Sequence, residues 1–171
     1  MMQGTEVLLS LGSNVDREFH LTAALNALLA AYGTLDVSPV YESAAVGFEG
    51  DAFFNLVVAL WTTESLPDLN QHLKQIEDDC GRDRSQPKFS DRTLDIDVLT
   101  YGTLSGVVEG IRLPRYEVYK NAYVLKPLAD IRSEQPVPGD VEHTWQSLWA
   151  LFPKDKQPLR VVDIGWITPD R

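Results

Sequence analysis

The chain of 171 residues carries 25 acidic and 15 basic side chains, which gives a formal net charge of −10, and 44% of its residues are hydrophobic. This length and composition predict one soluble globular domain over residues 1–171, with a core at about 6–152 and a C-terminal extension at 153–171. The negative charge argues against partners such as nucleic acid or an anionic membrane surface.

No targeting or membrane-spanning segment is predicted, because the N-terminus lacks a basic and then apolar run and no apolar run reaches bilayer length. Cys80 is the only cysteine, which excludes an internal disulfide and a multi-cysteine metal site. The histidines lack the spacing of metal ligands and are interpreted as surface or capping residues: His20, His72 and His143. We expect a cytoplasmic monomer.

Strand and helix signals alternate in the first half of the chain. Residues 7–11 predict a buried strand that ends in the turn 12–14, and apolar residues at helical spacing then predict a helix up to Tyr32. A loosely alternating strand follows at 35–43, and the apolar run at 55–62 predicts a central strand.

Asn55 stands at the head of this central strand. A buried carboxamide must find hydrogen-bond partners, so Asn55 either caps the strand end or reads a donor and acceptor edge on a heterocycle. Phe53, Phe54 and Tyr123 could supply stacking surfaces, although aromatic residues in such places more often belong to the core.

A second helix begins at Pro67 and ends at Gly81, with Glu77 lying off its apolar stripe. A polar loop follows at 82–91. Residues 82–126 hold eight basic residues against six acidic ones, whereas the rest of the chain holds seven against nineteen. This locally cationic segment fits a site for a metal-bound polyphosphate, although a chance fluctuation in charge gives the same pattern.

Two aspartates stand on the next predicted strand. Apolar and polar residues alternate along the run 92–99, so Asp95 and Asp97 share one face, about 7 Å apart. Carboxylates on a rigid strand suit Mg²⁺, which takes its other ligands from water and phosphates. The alternative is an ordinary strand with an acidic solvent face, but Asp is disfavoured in strands and like charges on one face repel.

The last third of the chain is less regular. The patterns predict a hairpin arm at 106–113, a short helix at 122–131 that Pro127 interrupts or restarts, a helix at 145–152 and an extra strand at 161–166. The order β-α-β-β-α-β predicts an α+β, ferredoxin-like antiparallel sheet with two helices on one face, plus C-terminal additions.

Four motifs carry a family resemblance: Leu-Gly-Ser-Asn at 11–14, Phe-x-Asn at 53–55, Glu-x-x-x-Gly-Arg-x-Arg at 77–84 and Arg-Thr-Leu-Asp-Ile-Asp at 92–97. Over about residues 6–152 the chain resembles the 6-hydroxymethyl-7,8-dihydropterin pyrophosphokinases of folate biosynthesis, and the last motif is the most specific of the four.

The resemblance implies transfer of pyrophosphate from ATP to the hydroxymethyl group of the pterin, with release of AMP and with two Mg²⁺ ions held by Asp95 and Asp97. The implied catalytic residues are Arg82, Arg92, Asp95 and Asp97. Those implied to bind ATP are Glu77, Arg82, Arg84, Arg92, Val98, Arg112, Arg115 and Tyr116. Those implied to bind the pterin are Ser43, Ala44, Val46, Phe53, Asn55, Asp95 and Tyr123.

The chain also departs from the family pattern. Phe89-Ser90-Asp91 replaces a Trp followed by Gly-Pro, Arg115 stands where His is usual, and Ala44-Ala45 replaces prolines. Arginine keeps a hydrogen-bond donor and a permanent charge but loses any titratable role. Two alternatives therefore stay open: a paralogue that accepts a different pterin, and a noncatalytic nucleotide-binding module of the same fold.

Overall fold

The computed structural model describes residues 4–44, 50–81 and 93–166 as a mixed α and β structure around one main sheet. The strands in this part of the chain are β1 (Thr5–Ser13), β2 (Asp36–Val37), β3 (Val40–Ser43), β4 (Phe53–Thr62), β5 (Asp95–Tyr101), β6 (Gly106–Val108), β7 (Ile111–Leu113), β8 (Pro136–Val137), β9 (Asp140–Thr144) and β10 (Arg160–Val162). The helices are α1 (Arg17–Tyr32), α2 (Leu66–Asp79), α3 (Glu117–Lys120), α4 (Ala122–Ile131) and α5 (Trp145–Leu151), with a 3-10 turn at Lys154–Lys156.

The main sheet has the strand order β10-β3-β4-β1-β5, with β2 paired to β4, and every pairing in it is antiparallel. Helices α1 and α2 make the two crossovers of the β-α-β-β-α-β unit, so the predicted ferredoxin-like α+β class is confirmed. Strand β10 adds a further strand beyond β3. The hairpins β6–β7 and β8–β9 lie outside this sheet, and the first of them is the predicted arm.

Alternation along the strands divides the apolar side chains between two faces of the sheet. The first face packs under α1 and α2 in one buried cluster, which includes Leu9, Leu11, Leu25, Leu73 and Ile96. The second face packs under α4 and α5 in a separate cluster, which includes Leu8, Val57, Leu99, Leu128 and Trp145. The predicted helix pair thus covers the first face, and the additions that follow the ferredoxin-like unit cover the second.

Two predicted strands end at different residues in the structure. The strand predicted at 35–43 divides into β2 and β3, because Pro39 has no N–H to continue the ladder, and Ser38 instead bonds Val57 through its backbone N–H and its Oγ, both at 2.9 Å. The predicted turn at 12–14 is also wrong in part, since β1 continues to Ser13 and pairs with both of its neighbours up to Gly12.

Helix α4 and strand β10 also differ from their predicted forms. Helix α4 runs unbroken from Ala122 to Ile131 with Pro127 inside it, so only the carbonyl of Tyr123 loses its usual helical donor. The extra strand is Arg160–Val162, and residues 163–166 follow it without strand pairing. Within the described residues, no helix combines the length and the apolar character that crossing a bilayer requires.

Candidate active site

Strand β5 places its two aspartates on the second face of the sheet, as the alternation predicted. Ile96 and Val98 are buried in the first cluster. Asp95 and Asp97, which alternate with them along the strand, stay partly exposed. Asp95 pairs with Gly12 and Asp97 pairs with Ser10 across the neighbouring strand β1. The two carboxylates therefore project from rigid, hydrogen-bonded backbone at one end of the sheet.

Glu77 is buried directly behind these aspartates. Its side chain is only 4% exposed, and its Oε2 accepts a hydrogen bond of 2.7 Å from the backbone N–H of Ile96. Since Ile96 lies between Asp95 and Asp97, this bond ties α2 to the β5 backbone at the site. The implied contact of Glu77 with a nucleotide stays a prediction.

Arg115 is the cation that the described structure places against Asp97. Its Nη2 lies 3.4 Å from Asp97 Oδ1, while its Nε donates a 3.0 Å hydrogen bond to Glu117 Oε2. The backbone N–H of Arg115 donates to Leu99 O at 2.9 Å, which anchors this residue to the end of β5. Glu117 was not predicted as a site residue, although its position two residues after Arg115 could have indicated an ion pair between them.

The electrostatic balance at Asp97 is unfavourable to its charged form. Burial and the neighbouring Asp95 raise the pKa of Asp97, Arg115 opposes the rise, and Glu77 and Glu117 add to it. The Asp97 side chain nevertheless keeps 35% of its exposure, so a cation can approach it from solvent. A divalent ion would relieve this excess of negative charge.

Asn55 lies in the same cross-strand row as Asp95, one strand further along. Gly12 pairs with Asn55 on one side and with Asp95 on the other. A Cβ atom on Gly12 would lie 2.5 Å from Asn55 Nδ2, so only glycine leaves room for the amide. Asn55 is 5% exposed, and its Oδ1 faces Ser43 Oγ at 3.5 Å, the limit of a hydrogen bond.

Two of the other residues implied to bind a pterin, Ser43 and Phe53, lie on β3 and β4 near this amide. Phe53 pairs with Ser43 across β3 and β4, and Ala44 follows directly in the chain. Tyr123 lies at the start of α4, where its hydroxyl accepts a 3.0 Å bond from Asn121 Nδ2. Burial and the charges of the site acids, Asp95 first, raise the pKa of Tyr123 to about 12.

The residues implied to bind ATP divide between two environments. Arg112 and Tyr116 line an open cavity of about 230 Å³ together with Ser105, Leu113, Pro114, Tyr119, Pro138 and Gly139. The aspartates do not line this cavity, but Pro114, which does, directly precedes the Arg115 that contacts Asp97. Val98, in contrast, is 2% exposed within the apolar core, so only its backbone can meet a ligand.

Four implied site residues lie outside the described residues: Val46, Arg82, Arg84 and Arg92. The substituted segments at Ala45 and at 89–91 lie outside them as well. Their assignments stay predictions.

The donor set at the aspartates fits magnesium better than a closed metal cage. Across residues 4–44, 50–81 and 93–166, no group of three or more His, Cys, Asp or Glu side chains is arranged to hold a metal ion. Mg²⁺ keeps several waters and is typically bound by one or two carboxylates plus substrate phosphates. Two partly exposed carboxylates on one rigid strand meet that requirement.

Fold and site together define an α+β protein of ferredoxin-like topology, with paired carboxylates and a recessed amide at one end of its sheet. A sequence profile described as 7,8-dihydro-6-hydroxymethylpterin-pyrophosphokinase (HPPK) matches residues 8–133. The chain belongs to this family of ATP-dependent enzymes, which transfer pyrophosphate to a pterin in folate biosynthesis. Family membership favours an enzyme over the noncatalytic alternative.

Individual relatives agree with the family match. The 2-amino-4-hydroxy-6-hydroxymethyldihydropteridine pyrophosphokinase of Bacillus subtilis (strain 168) is 37% identical over 128 residues, covering 72% of this chain and 75% of that protein. The enzyme of the same name from Pseudomonas aeruginosa is 35% identical over 136 residues, covering 77% and 83%. A Plasmodium falciparum HPPK-DHPS structure with pterin and p-hydroxybenzoate has a TM-score of 0.67 at 14% identity. It shows similarity of fold over 88% of this chain, which spans 44% of that longer one.

Proposed function

We propose that this chain transfers pyrophosphate from ATP to 6-hydroxymethyl-7,8-dihydropterin, with two Mg²⁺ ions held by Asp95 and Asp97. The observation that carries the proposal is the row Asn55–Gly12–Asp95 across three adjacent strands. Neighbouring strands lie about 4.8 Å apart, so this row sets a heterocycle-reading amide about 10 Å from a metal-binding carboxylate. That span suits a pterin whose hydroxymethyl group points toward metal-bound phosphates.

The pterin half of the proposed site uses Asn55 to read the polar edge of the ring. Phe53 and Tyr123 provide the two aromatic surfaces, and Ser43 and Ala44 contribute at the end of β3. Asn55 suits this role because it is buried and its amide group has both a donor and an acceptor side. Stacking between aromatic rings then fixes the plane of the pterin.

The phosphate half of the proposed site uses arginines. Arg82, Arg84 and Arg92 are assigned to ATP by the family motifs, and Arg115 stands beside Asp97 in the described structure. When bound, Mg²⁺ neutralises charge on the triphosphate and polarises the phosphorus that is attacked. The arginines hold the remaining phosphate oxygens by charge-assisted hydrogen bonds.

The proposed reaction needs no covalent protein intermediate. The hydroxymethyl oxygen attacks the β-phosphorus, and a new oxygen–phosphorus bond forms there. The bond from the β-phosphorus to the oxygen that bridges it to the α-phosphorus breaks, AMP leaves with that electron pair, and the hydroxyl proton is released. Alignment of the two substrates and neutralisation of charge supply the rate enhancement, as is general for phosphoryl transfer.

The test is to incubate the protein with ATP, Mg²⁺ and the hydroxymethyl pterin and to measure nucleotide products. We expect AMP and the pterin pyrophosphate in equal amounts, and neither product when the pterin is omitted. Release of ADP would contradict the reaction class. Turnover restricted to a different pterin would favour the paralogue. A cytoplasmic monomer remains a prediction from the sequence.

A further inference from the structure

The segment from 153 to 166, here called the tail, lies beyond the family match, and it bonds two chain neighbours of proposed pterin-site residues, Ala122 beside Tyr123 and Glu42 beside Ser43. It contains the 3-10 turn and strand β10, and Ile164 and Trp166 pack against the first cluster. Trp166 Nε1 also donates to Asn26 Oδ1 on α1 at 3.1 Å. The tail is therefore fixed to the domain at its far end as well as along β3.

Gln157 of the tail holds the junction between α3 and α4. Its Nε2 donates to Lys120 O at 2.8 Å, and its Oε1 accepts from the backbone N–H of Ala122 at 2.9 Å. The first amides of a helix have no partner within the helix, so Gln157 supplies one that α4 lacks. These two bonds span Asn121, whose side chain in turn donates to the hydroxyl of Tyr123.

Arg160 of the tail holds the end of β3, on the side of the proposed pterin site that carries Ser43 and Phe53. It pairs with Glu42 across β10 and β3, and its Nη2 and Nε lie 2.6 Å and 3.2 Å from Glu42 Oε1. The other oxygen of Glu42 accepts a 2.9 Å bond from Arg17, which also donates to Ala52 O at 2.9 Å. Glu42 directly precedes Ser43, and Ala52 directly precedes Phe53, so this chain of contacts joins the tail to both residues.

These contacts fit a positioning role better than a stabilising one. The side chain of Arg160 is 71% exposed, and ion pairs this exposed contribute little to the stability of a fold. The hydrogen bond from Arg160, joined by that from Arg17, lowers the pKa of Glu42 below its ordinary value against the opposing effect of desolvation. Glu42 is therefore charged and held between two guanidinium groups at neutral pH.

We propose that the tail is a two-sided brace for the pterin site, in which Gln157 positions Tyr123 through the start of α4 and Arg160 positions Ser43 and Phe53 through Glu42. Both are positioning residues, because neither touches the proposed substrate. The inference rests on the proposed function, since it concerns the pterin half of that site. It assigns a role to a segment that the family match does not include.

The test compares the variants Gln157→Ala and Arg160→Ala with the intact protein in the AMP-release assay, with KM measured separately for the pterin and for ATP. Each variant loses both of the contacts described above for its side chain, and because the net effect of such bonds is small we expect the pterin KM to rise about threefold to tenfold. The KM for ATP and the thermal unfolding temperature should stay nearly unchanged. Lys156→Ala, which removes an exposed neighbouring side chain of the tail, is the matched control and should leave both KM values unchanged.

Conservative variants separate positioning from general loosening of the fold. Gln157→Glu keeps the acceptor for Ala122 but loses the donor to Lys120, and Arg160→Lys keeps the charge but loses one of two nitrogen contacts. Both should give intermediate pterin KM values.

Three results would overturn the inference. They are an unchanged pterin KM in both alanine variants, an equal rise in both KM values, and a fall in unfolding temperature without a change in the ratio of the two KM values. If the intact protein releases no AMP with the pterin, the proposed function fails first and the inference fails with it.

Discussion

Two groups of acidic side chains lie on the second face of the sheet, at opposite ends of helix α4. At one end, Arg132 bonds Glu6 Oε2 at 3.2 Å and Asp36 Oδ2 at 2.7 Å, and Gln135 donates to Glu6 Oε1 at 2.7 Å. At the other end, Asp97 meets Arg115 only at 3.4 Å, and Arg115 is shared with Glu117.

The difference separates acids that support the fold from acids that are available to a ligand. Glu6 and Asp36 both accept hydrogen bonds from Arg132, whose guanidinium lies 5.8 Å from the centroid of the Trp61 ring. Asp95 and Asp97 stand on an equally rigid strand, yet Asp97 has a longer contact and a raised pKa. A divalent ion is therefore expected to bind at the second group, where it would stabilise the charged form of Asp97.

The largest expected effect comes from Asp97→Asn, which keeps the shape of the side chain and removes its charge. We expect turnover to fall by at least about 100-fold, because a metal ligand is lost, while the unfolding temperature stays the same or rises. AMP release and thermal unfolding measure the two quantities. Glu134→Gln, at an exposed acid that belongs to neither group, is the control. An Asp97→Asn variant with near-normal turnover would remove Asp97 from the site.

The next largest effect should come from Arg132→Ala at the other end of α4. The side chain is only 18% exposed, and its loss leaves Glu6 and Asp36 facing each other without their shared partner. We expect the free energy of unfolding to fall by about 1–3 kcal/mol, measured by chemical denaturation, with kcat/KM within about twofold of the intact enzyme. A variant that keeps its stability but loses turnover would reverse the roles assigned to the two groups.

Gly12→Ala should act on the pterin half of the site alone. The added Cβ would meet Asn55 Nδ2 at 2.5 Å and displace the amide, so we expect the pterin KM to rise about tenfold. Mg²⁺ affinity in the absence of the pterin is the internal control and should not change. An unchanged pterin KM would show that Asn55 does not read the ring.

The smallest expected effect is a pH dependence of stability in the metal-free protein, because solvent screening of the 35% exposed Asp97 side chain reduces the free energy that its pKa shift implies. Burial and Asp95 raise the pKa of Asp97 to about 7, above the value of about 4 for an unfolded aspartate. The charged carboxylate therefore costs the folded chain stability above pH of about 7, and the cost disappears as pH falls toward about 4. Thermal unfolding of the intact protein minus that of Asp97→Asn should show this gain on acidification. A difference that is flat across the range would contradict the electrostatic description of the site.

Much of the fold could be predicted because the spacing of apolar residues and the residues that end helices and strands act locally in the chain. Alternation along 92–99 correctly separated Asp95 and Asp97 from their buried neighbours, and helical spacing located α1 and α2. The division at Pro39 and the unbroken helix at Pro127 were not predicted. Each depends on the hydrogen-bond partners of the backbone groups near the proline, which only the folded structure shows. Loss of one N–H ends a strand in the first case and is absorbed by a packed helix in the second.

The site was only partly predictable for a related reason. Glu77 lay off the predicted apolar stripe, and its burial was not predicted because its partner, the amide of Ile96, reaches it only through the packing of α2 on β5. The need for glycine at Gly12 appears only when β1 is seen between Asn55 and Asp95. Gln157 and Arg160 carry no local signal at all, because their partners are 35 to 118 residues away in the chain.

The most direct measurement of the central claim is a titration of Mn²⁺, as a spectroscopic substitute for Mg²⁺, into the protein with a nonhydrolysable ATP analogue. Electron paramagnetic resonance of the free ion then reports the number bound and their affinity. We expect two ions per chain in the intact protein and an affinity at least about tenfold weaker in Asp97→Asn. Equal stoichiometry and equal affinity in both proteins would contradict a metal site at the β5 aspartates.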